Sequence, residues 1–210
     1  MISQKQLDEA RINRHGYEAY KALKKATVGI AGCGGLGSHV AISLARMGIG
    51  HLILADYDIV DITNIHRQAY RLEHINNYKT HALRDEIYAI DPFLKVTTYT
   101  DRLNAKNIQT IFQNASIVCE CLDHPYEKAM LFENHHIFFP EKSLITASGM
   151  AGKGSANDIR TTQPFQNVYL CGDGTSDISK DGHLYAARVA ICANHQALMI
   201  LRLLLNLKEA

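Results

Sequence analysis

The chain has 210 residues, of which 47% are hydrophobic and 20% are charged, and its formal net charge is +1. This composition is ordinary for a single globular domain, and the charge gives no electrostatic sign of a nucleic-acid or membrane partner. No apolar run reaches the length of a transmembrane span, and Met1 to Lys5 lack the pattern of a signal peptide. We therefore expect a cytoplasmic protein.

The hydrophobic pattern predicts a helical arm over residues 3–23, followed by strands that alternate with helices. The predicted strands are 27–31, 51–55, 94–99, 116–121 and 143–148. The predicted helices between them are 36–47, 78–89, 104–113 and 125–137. This alternation predicts an α/β fold, with a Rossmann-like, doubly wound and mostly parallel sheet that has helices on both faces.

The pattern changes after Gly149, where glycines and polar residues become frequent. Residues 154–160 and 167–171 could form an antiparallel extension, and residues 172–183 have the composition of a mobile, exposed loop. A final helix over 184–206 has an apolar face broad enough for burial or for a subunit contact. We interpret residues 1–210 as one domain, made of an arm (1–24), a nucleotide-binding core (25–149), and a crossover loop with a C-terminal helix (150–210).

A glycine-rich turn lies between the first predicted strand and the helix that follows it. Gly32, Gly34 and Gly37 satisfy the G-x-G-x-x-G spacing. Glycines allow a tight turn and a close approach of a phosphate, and the helix start offers free N–H groups to that phosphate. The turn therefore predicts nucleotide binding without identifying the nucleotide.

Acidic residues follow the second predicted strand. Asp56 lies 19 positions after Gly37, where an acid in a dinucleotide fold holds ribose hydroxyls. Asp58 and Asp61 fit a ribose or loop role equally well. To this point a nicotinamide enzyme and an ATP enzyme are equally compatible with the sequence.

The next segment favours a triphosphate. Asn64-Ile-His-Arg-Gln68 follows the acidic loop, and Lys79 lies 12 positions after Arg67. A planar guanidinium and a lysine can grip phosphate oxygens and stabilise charge that develops during attack on the α-phosphate. Either cation alone would be interpreted as a surface residue, but the two occur together with Asn64 and Gln68.

Metal-ligating patterns are weak in this sequence. The five cysteines, at positions 33, 119, 121, 171 and 192, include no Cys-x-x-Cys pair, which excludes a structural zinc site built from two such pairs. Cys119 and Cys121 are interpreted as buried strand residues in a reducing compartment. The 11 histidines show no usual ligand spacing, and we expect most of them at the surface.

Gly32-Cys-Gly-Gly-Leu-Gly37, Asp56-Tyr-Asp58, Asn64 to Gln68, Lys79 and Asp123, taken in this order, resemble the motifs of the ubiquitin-activating-enzyme superfamily. Within it, the chain is similar to the ThiF/MoeB/HesA family, the small adenylyltransferases that activate ubiquitin-like sulfur carriers. The absence of zinc cysteine pairs resembles a zinc-less ThiF branch linked to thiamine biosynthesis.

The resemblance implies roles for individual residues. Arg67, Lys79, Asp123 and Arg14 would be catalytic, and Asp123 would also hold Mg²⁺. Glu120 stands where the family's acid-x-x-Asp motif usually has aspartate, so its role is open. The residues implied to bind ATP are Gly32, Gly34, Gly35, Leu36, Gly37, Asp56, Asp58, Asn64, Arg67, Gln68, Lys79, Leu122 and Asp123.

The resemblance also implies a homodimer. Arg11-Ile-Asn-Arg14 is similar to the family's arginine finger, in which the second arginine reaches the ATP of the other subunit. Cys171 and Cys192 are candidates for sulfur transfer, although Cys192 lies in an apolar helix where a structural thiol is expected.

The implied reaction is attack by the C-terminal glycine carboxylate of a Gly-Gly-ending sulfur carrier, such as the thiamine carrier ThiS, on the α-phosphate of ATP. A tRNA threonylcarbamoyladenosine dehydratase is an alternative within the superfamily, although the net charge of +1 counts against tRNA binding. A nicotinamide oxidoreductase would leave Arg67, Gln68 and Lys79 without a purpose. A non-catalytic partner subunit would not need the intact nucleotide set.

Overall fold

A seven-stranded sheet forms the centre of the computed structural model, which describes residues 2–209. The strands are β1 (Thr27–Ala31), β2 (His51–Ala55), β3 (Lys95–Tyr99), β4 (Ile117–Glu120), β5 (Ser143–Ala147), β6 (Arg160–Phe165) and β7 (Val168–Gly172). The helices are α1 (Gln4–His15), α2 (Tyr17–Lys25), α3 (Gly35–Met47), α4 (Lys79–Ile90), α5 (Ile108–Phe112), α6 (Pro125–Phe138), α7 (Ile178–Asp181) and α8 (Ala186–Leu204). Short 3-10 helices are found at Ile62–Asn64, Leu72–His74 and Ala156–Asp158.

The strand order β3-β2-β1-β4-β5-β7-β6 reverses direction at β1. This strand pairs in parallel with both β2 and β4, and only β6 runs antiparallel to its neighbour. The chain therefore has a topological switch point between β1 and β4, the place where open α/β sheets bind ligands beyond the carboxyl ends of their strands. The predicted Rossmann-like, doubly wound and mostly parallel sheet is confirmed.

The central strands β1, β2, β4 and β5 are buried on both faces, which explains their apolar runs. Successive residues of β2 point to opposite sides, so that Leu52 and Leu54 join one hydrophobic cluster and Ile53 joins the other. Residues of α3, α4 and α8 complete the first cluster, and residues of α5 and α6 complete the second. Among residues 2–209, no helix is both long and apolar enough to cross a membrane.

The N-terminal arm differs from the single helix predicted over residues 3–23. It consists of two helices that meet at Gly16, whose φ of 82° is open to glycine but strained for other residues. Hydrophobic periodicity did not reveal this break because both helices carry apolar residues at helical spacing. The break lets α1 and α2 leave in different directions.

The C-terminal extension also differs in its bounds. The first strand of the antiparallel pair begins at Arg160, where the predicted strand ends, and a 3-10 helix occupies Ala156–Asp158 instead. The second strand, β7, pairs in parallel with β5, so the pair extends the main sheet. The predicted burial of the final helix is confirmed, since Val189, Ala193 and Ile200 are almost fully buried and belong to the cluster that α3 shares.

A buried ion pair fixes the arm to the core. Arg11 is 8% exposed, and its Nη1 lies 2.7 Å from Oδ2 of Asp91 at the end of α4. Its Nη2 also donates to the carbonyl of Ala45, near the end of α3, at 3.2 Å. Arg11 thus joins α1 to the ends of two core helices that point away from the glycine turn.

We predict that Arg11→Met lowers the free energy of unfolding by about 3 kcal/mol, because it leaves the carboxylate of Asp91 buried without its cation. The exposed pair of Arg84 with Asp85 provides the control, and Arg84→Met should cost less than about 1 kcal/mol. Chemical denaturation of the three proteins, followed by circular dichroism, measures both values. Equal costs for the two variants would contradict the assigned role of Arg11.

Candidate functional site

A cleft opens at the carboxyl ends of β1, β2 and β4, at the switch point of the sheet. Six of the residues predicted to bind the nucleotide line it, which are Gly32, Gly34, Asp56, Asp58, Leu122 and Asp123. Ala55, Tyr57, Leu103, Cys121 and Glu127 complete the lining. The glycine turn, the acids after β2 and the loop after β4 therefore meet in one place.

The glycine turn is shaped by close backbone contacts. Gly32 has a φ of 91°, and a Cβ at this position would lie 2.8 Å from the carbonyl oxygen of Cys121. A Cβ at Gly37 would overlap the carbonyl oxygen of Gly32. Since α3 begins at Gly35, its first N–H groups face the turn without partners inside the helix, and this arrangement fits a phosphate.

Leu36 is placed differently from its predicted neighbours. Its side chain is only 6% exposed and belongs to the hydrophobic core. Only its backbone N–H, in the first turn of α3, is in a position to serve a phosphate.

The carboxylate of Asp56 connects the glycine turn to the end of β2. Its Oδ2 accepts from the N–H of Cys33 at 2.6 Å, and its Oδ1 accepts from the N–H of Asp58 at 2.8 Å. Burial raises the pKa of Asp56, and the positive charge of Lys79 and both N–H donors act against this shift. Each oxygen keeps a lone pair that could accept a ribose hydroxyl.

Lys79, the first residue of α4, is brought to the edge of the cleft. It is 7% exposed, and its Nζ lies 2.6 Å from Oδ2 of Asp58. Tyr70 supports this arrangement, because its hydroxyl donates to the carbonyl of Cys33 at 2.5 Å and also lies 3.3 Å from the carbonyl oxygen of Lys79. The sequence analysis missed Tyr70, since nothing in the local pattern marks a tyrosine that bridges two distant turns.

The segment before Tyr70 folds over the glycine turn. Gln68 is 7% exposed, its Nε2 lies 3.8 Å from the Cβ position of Gly34, and its Oε1 has no hydrogen-bond partner among residues 2–209. The carbonyl oxygen of Arg67 lies 3.9 Å from the Cβ position of Gly35. A buried amide with an unpaired oxygen beside a phosphate cradle fits a site that is completed by a ligand.

Asn64 and Asp61 belong to the turn that carries this segment. The side chain of Asn64 accepts from the N–H of Asp61 at 3.1 Å, and Asp61 accepts from the N–H of Thr63 at 2.8 Å. Neither residue lines the cleft. In this structure Asn64 shapes the 3-10 turn, and its predicted contact with a triphosphate stays a prediction.

The two acids after β4 have different surroundings. Glu120 is 1% exposed, and both of its oxygens lie 2.8 Å from Nζ of Lys128. It also accepts from the N–H of Leu122 at 2.7 Å and from the hydroxyl of Thr146 at 2.5 Å. Glu120 therefore holds the loop after β4, whereas Asp123 is exposed in the cleft and fits a hard cation.

Arg14 lies apart from this site. It is exposed on α1 and is not among the cleft residues. The anchor of α1 at Ala45 is separated from Gly35 by ten residues of α3, or about 15 Å. The structure does not bring Arg14 to the cleft of its own chain, so its predicted role requires a second subunit.

All five cysteines are buried and free. The sulfurs of Cys119 and Cys121 lie 3.6 Å apart, and both residues are buried as expected. Cys119 lies in β4, whereas Cys121 follows the strand and lines the cleft, so the strand interpretation is correct only for Cys119. Burial raises the pKa of Cys171 to about 12 and also raises the pKa of Cys192. Since the thiolate is the nucleophile, neither candidate has the environment of a reactive sulfur acceptor in this conformation.

Most histidines reach the surface as expected, and among residues 2–209 only His74 and His135 are buried. Burial, with the nearby cation of Lys142, lowers the pKa of His135 to about 4. His74 lies with Glu73 and Glu86 in a group that the sequence analysis missed, with ligand atoms within 4.8 Å of one another. Arg71 already pairs with Glu86 at 2.7 Å, so this group has a cation in place.

Named proteins from other organisms are similar in sequence to this chain. A protein named adenylyltransferase and sulfurtransferase MOCS3 from Dictyostelium discoideum is 28% identical over 207 residues, which are 92% of this chain and 46% of that protein. The protein of the same name from Xenopus laevis is 32% identical over 172 residues, 76% of this chain and 38% of that protein. The chain thus spans less than half the length of these relatives.

Solved structures share the fold at lower identity. The Escherichia coli tRNA N6-threonylcarbamoyladenosine dehydratase TcdA in complex with AMP superposes with a TM-score of 0.87 at 21% identity, covering 98% of both chains. The Escherichia coli protein MccB with ATP gives a TM-score of 0.73 at 21% identity, covering 95% of this chain and 65% of that one. The family profile described as ThiF matches residues 7–210, and the chain belongs to the ThiF family.

Proposed function

We propose that this chain uses ATP to adenylylate the C-terminal glycine carboxylate of a ubiquitin-like sulfur carrier in the cytoplasm, with ThiS of thiamine biosynthesis as the preferred carrier. The observation that carries the proposal is the meeting of a phosphate cradle, the ribose acid Asp56 and the exposed acid Asp123 in one cleft. Relatives that share about 30% identity with the chain are named adenylyltransferases, which supports the same chemistry.

In the proposed reaction, an oxygen of the carrier's carboxylate attacks the α-phosphorus of ATP and the bond to pyrophosphate breaks. The products are an acyl-adenylate and pyrophosphate, and no protein nucleophile is needed. Gly32 to Gly37 would position the phosphates, and Lys79 and Arg67 would offset negative charge as it develops. Lys79 is held close by Asp58, so its ammonium is oriented before ATP arrives.

Asp123 fits a divalent cation because its carboxylate is exposed in the cleft and accepts no hydrogen bond from residues 2–209. Asp123 would hold a Mg²⁺, which would neutralise part of the charge on the phosphates. The neighbouring Glu120 is fully engaged by Lys128 and Thr146, and it would act by fixing the loop.

A second, open groove offers a route for the carrier. It lies along the loops that follow β5 and β7, which end at the same edge of the sheet as β1 and β4. Its lining includes Lys153, Arg160, Thr162, Leu170 and the turn from Gly172 to Ser176. An extended peptide tail would find both polar and apolar contacts there.

A tRNA dehydratase of the TcdA kind is the second candidate function. The observation that favours it is the match to TcdA over 98% of both chains, whereas MccB exceeds the length of this chain. Adenylylation of the carboxylate of the threonylcarbamoyl group would use the same cleft, so the two candidates differ in the second substrate.

We predict that ATP–pyrophosphate exchange by the purified protein requires both Mg²⁺ and a Gly-Gly-ending carrier from the same genome. Asp123→Ala should lower the exchange rate by at least about 100-fold, because it removes the proposed ligand of the cation. Asp85→Ala, which alters an exposed acid on α4, should leave the rate unchanged. Two results together would favour the dehydratase instead. One is tight ATP binding without ATP–pyrophosphate exchange when carriers are present, and the other is formation of AMP when the modified tRNA is added.

A mixing experiment tests the predicted role of Arg14 in a homodimer. Arg14→Ala and Asp123→Ala should each be inactive alone, but subunit exchange places an intact Arg14 beside an intact Asp123 at one site of each mixed dimer. An equimolar mixture should then recover about a quarter of the wild-type exchange rate, since half of the dimers are mixed and each has one complete site. If Arg14 acted within its own chain, mixing would recover nothing.

A further inference from the structure

One end of the cleft is enclosed by three side chains that the ATP-binding motifs do not include. Tyr57 follows β2, Leu103 lies in the loop after β3, and Glu127 is in the first turn of α6. The glycine turn occupies the phosphate end, and Asp56 lies at the ribose position. These three residues therefore surround the space in which the base of a bound nucleotide would lie.

Glu127 is the only carboxylate in this part of the lining, and it is oriented by a single cation. The residue is 7% exposed, and Arg102 approaches one of its oxygens, Oε1, with Nε at 2.8 Å and with Nη2 at 2.7 Å. The other oxygen, Oε2, receives no hydrogen bond from residues 2–209. Oε2 is not a fully buried atom, and in the wall of the cleft it can accept a hydrogen bond from a bound molecule.

Arg102 is itself held in place. Its guanidinium lies over the ring of Tyr57, 5.0 Å from the ring centre. The planar guanidinium thus connects the aromatic ring with the carboxylate, and the rotation of Glu127 is restricted. The free Oε2 is therefore preorganised at the base end of the cleft.

We propose that Glu127 selects adenine by accepting a hydrogen bond from its exocyclic amino group at Oε2. Guanine and hypoxanthine carry a carbonyl oxygen at the same position of the ring, and two acceptors facing each other repel. Tyr57 and Leu103 would contribute apolar contact with any purine, so Glu127 would be the residue that distinguishes adenine from guanine and hypoxanthine. The inference rests on the proposed function only in that a nucleoside triphosphate occupies the cleft.

Equilibrium binding to the purified protein tests this without a carrier. Fluorescence competition should measure the dissociation constants of ATP, of ITP, and of purine riboside triphosphate, which lacks the amino group. We expect ATP to bind at least about tenfold more tightly than either analogue, because only its amino group can donate to Oε2. Equal affinities for the three nucleotides would overturn the proposal.

Glu127→Gln is the decisive variant, since its amide keeps the size of the side chain and can rotate to accept from an amino group or donate to a carbonyl. We expect the ratio of ITP to ATP dissociation constants to fall to near one. Glu133→Gln changes an exposed acid on the same helix and should keep the wild-type ratio. A wild-type ratio in Glu127→Gln would also overturn the proposal.

Arg102→Met separates selection from packing, because it removes the partner of Oε1 and leaves the carboxylate. This variant should still prefer ATP, whereas a purely structural role of the pair predicts that both variants lose the preference equally. The two proposals fail separately. Selective ATP binding without pyrophosphate exchange would contradict the proposed reaction, and exchange that uses ITP as well as ATP would contradict the role of Glu127.

Discussion

The carboxylate of Asp56 is the contact on which the geometry of the cleft depends. It accepts one N–H from the glycine turn and one from its own loop, and so it joins the ends of β1 and β2. A backbone hydrogen bond from the N–H of Gly32 to the carbonyl of Ala55, 2.8 Å long, joins the same two strand ends. The hydroxyl of Tyr70 donates to the carbonyl of Cys33, so both the N–H and the carbonyl of this residue are hydrogen-bonded.

The end of β4, on the other side of the switch point, also carries two acids. Glu120 is buried and engaged by Lys128, Thr146 and the N–H of Leu122, while Asp123 is exposed three residues later. At both strand ends the first acid, Asp56 or Glu120, accepts from backbone N–H groups, and a second acid, Asp58 or Asp123, follows at the cleft. The longer side chain of Glu120 reaches Lys128 on α6, which explains how glutamate can occupy a position where the family usually has aspartate.

The sequence predicted those site residues whose positions follow from their spacing along the chain. The glycine turn and Asp56 were predicted because a strand, a turn and a helix follow one another within a few residues, and the strand bounds of the core agree within two residues. The residues that were missed act over long separations. Tyr70 reaches back to Cys33, and the partner of Glu127 is Arg102, 25 positions earlier. The break at Gly16 was missed because a lone glycine does not interrupt hydrophobic periodicity.

In the proposed reaction, a carrier and a tRNA would both present an oxygen to the α-phosphate of ATP. The charges of the second groove bear on this choice. Its cations are Lys153, Arg160, Lys180 and Arg188, but Arg188 is neutralised by Asp173, and Asp158 and Asp181 offset most of the remainder. A nucleic-acid surface gains its affinity from unpaired cations that displace counterions from phosphates. A groove with nearly balanced charge is better matched to a peptide tail, which favours the carrier over the tRNA.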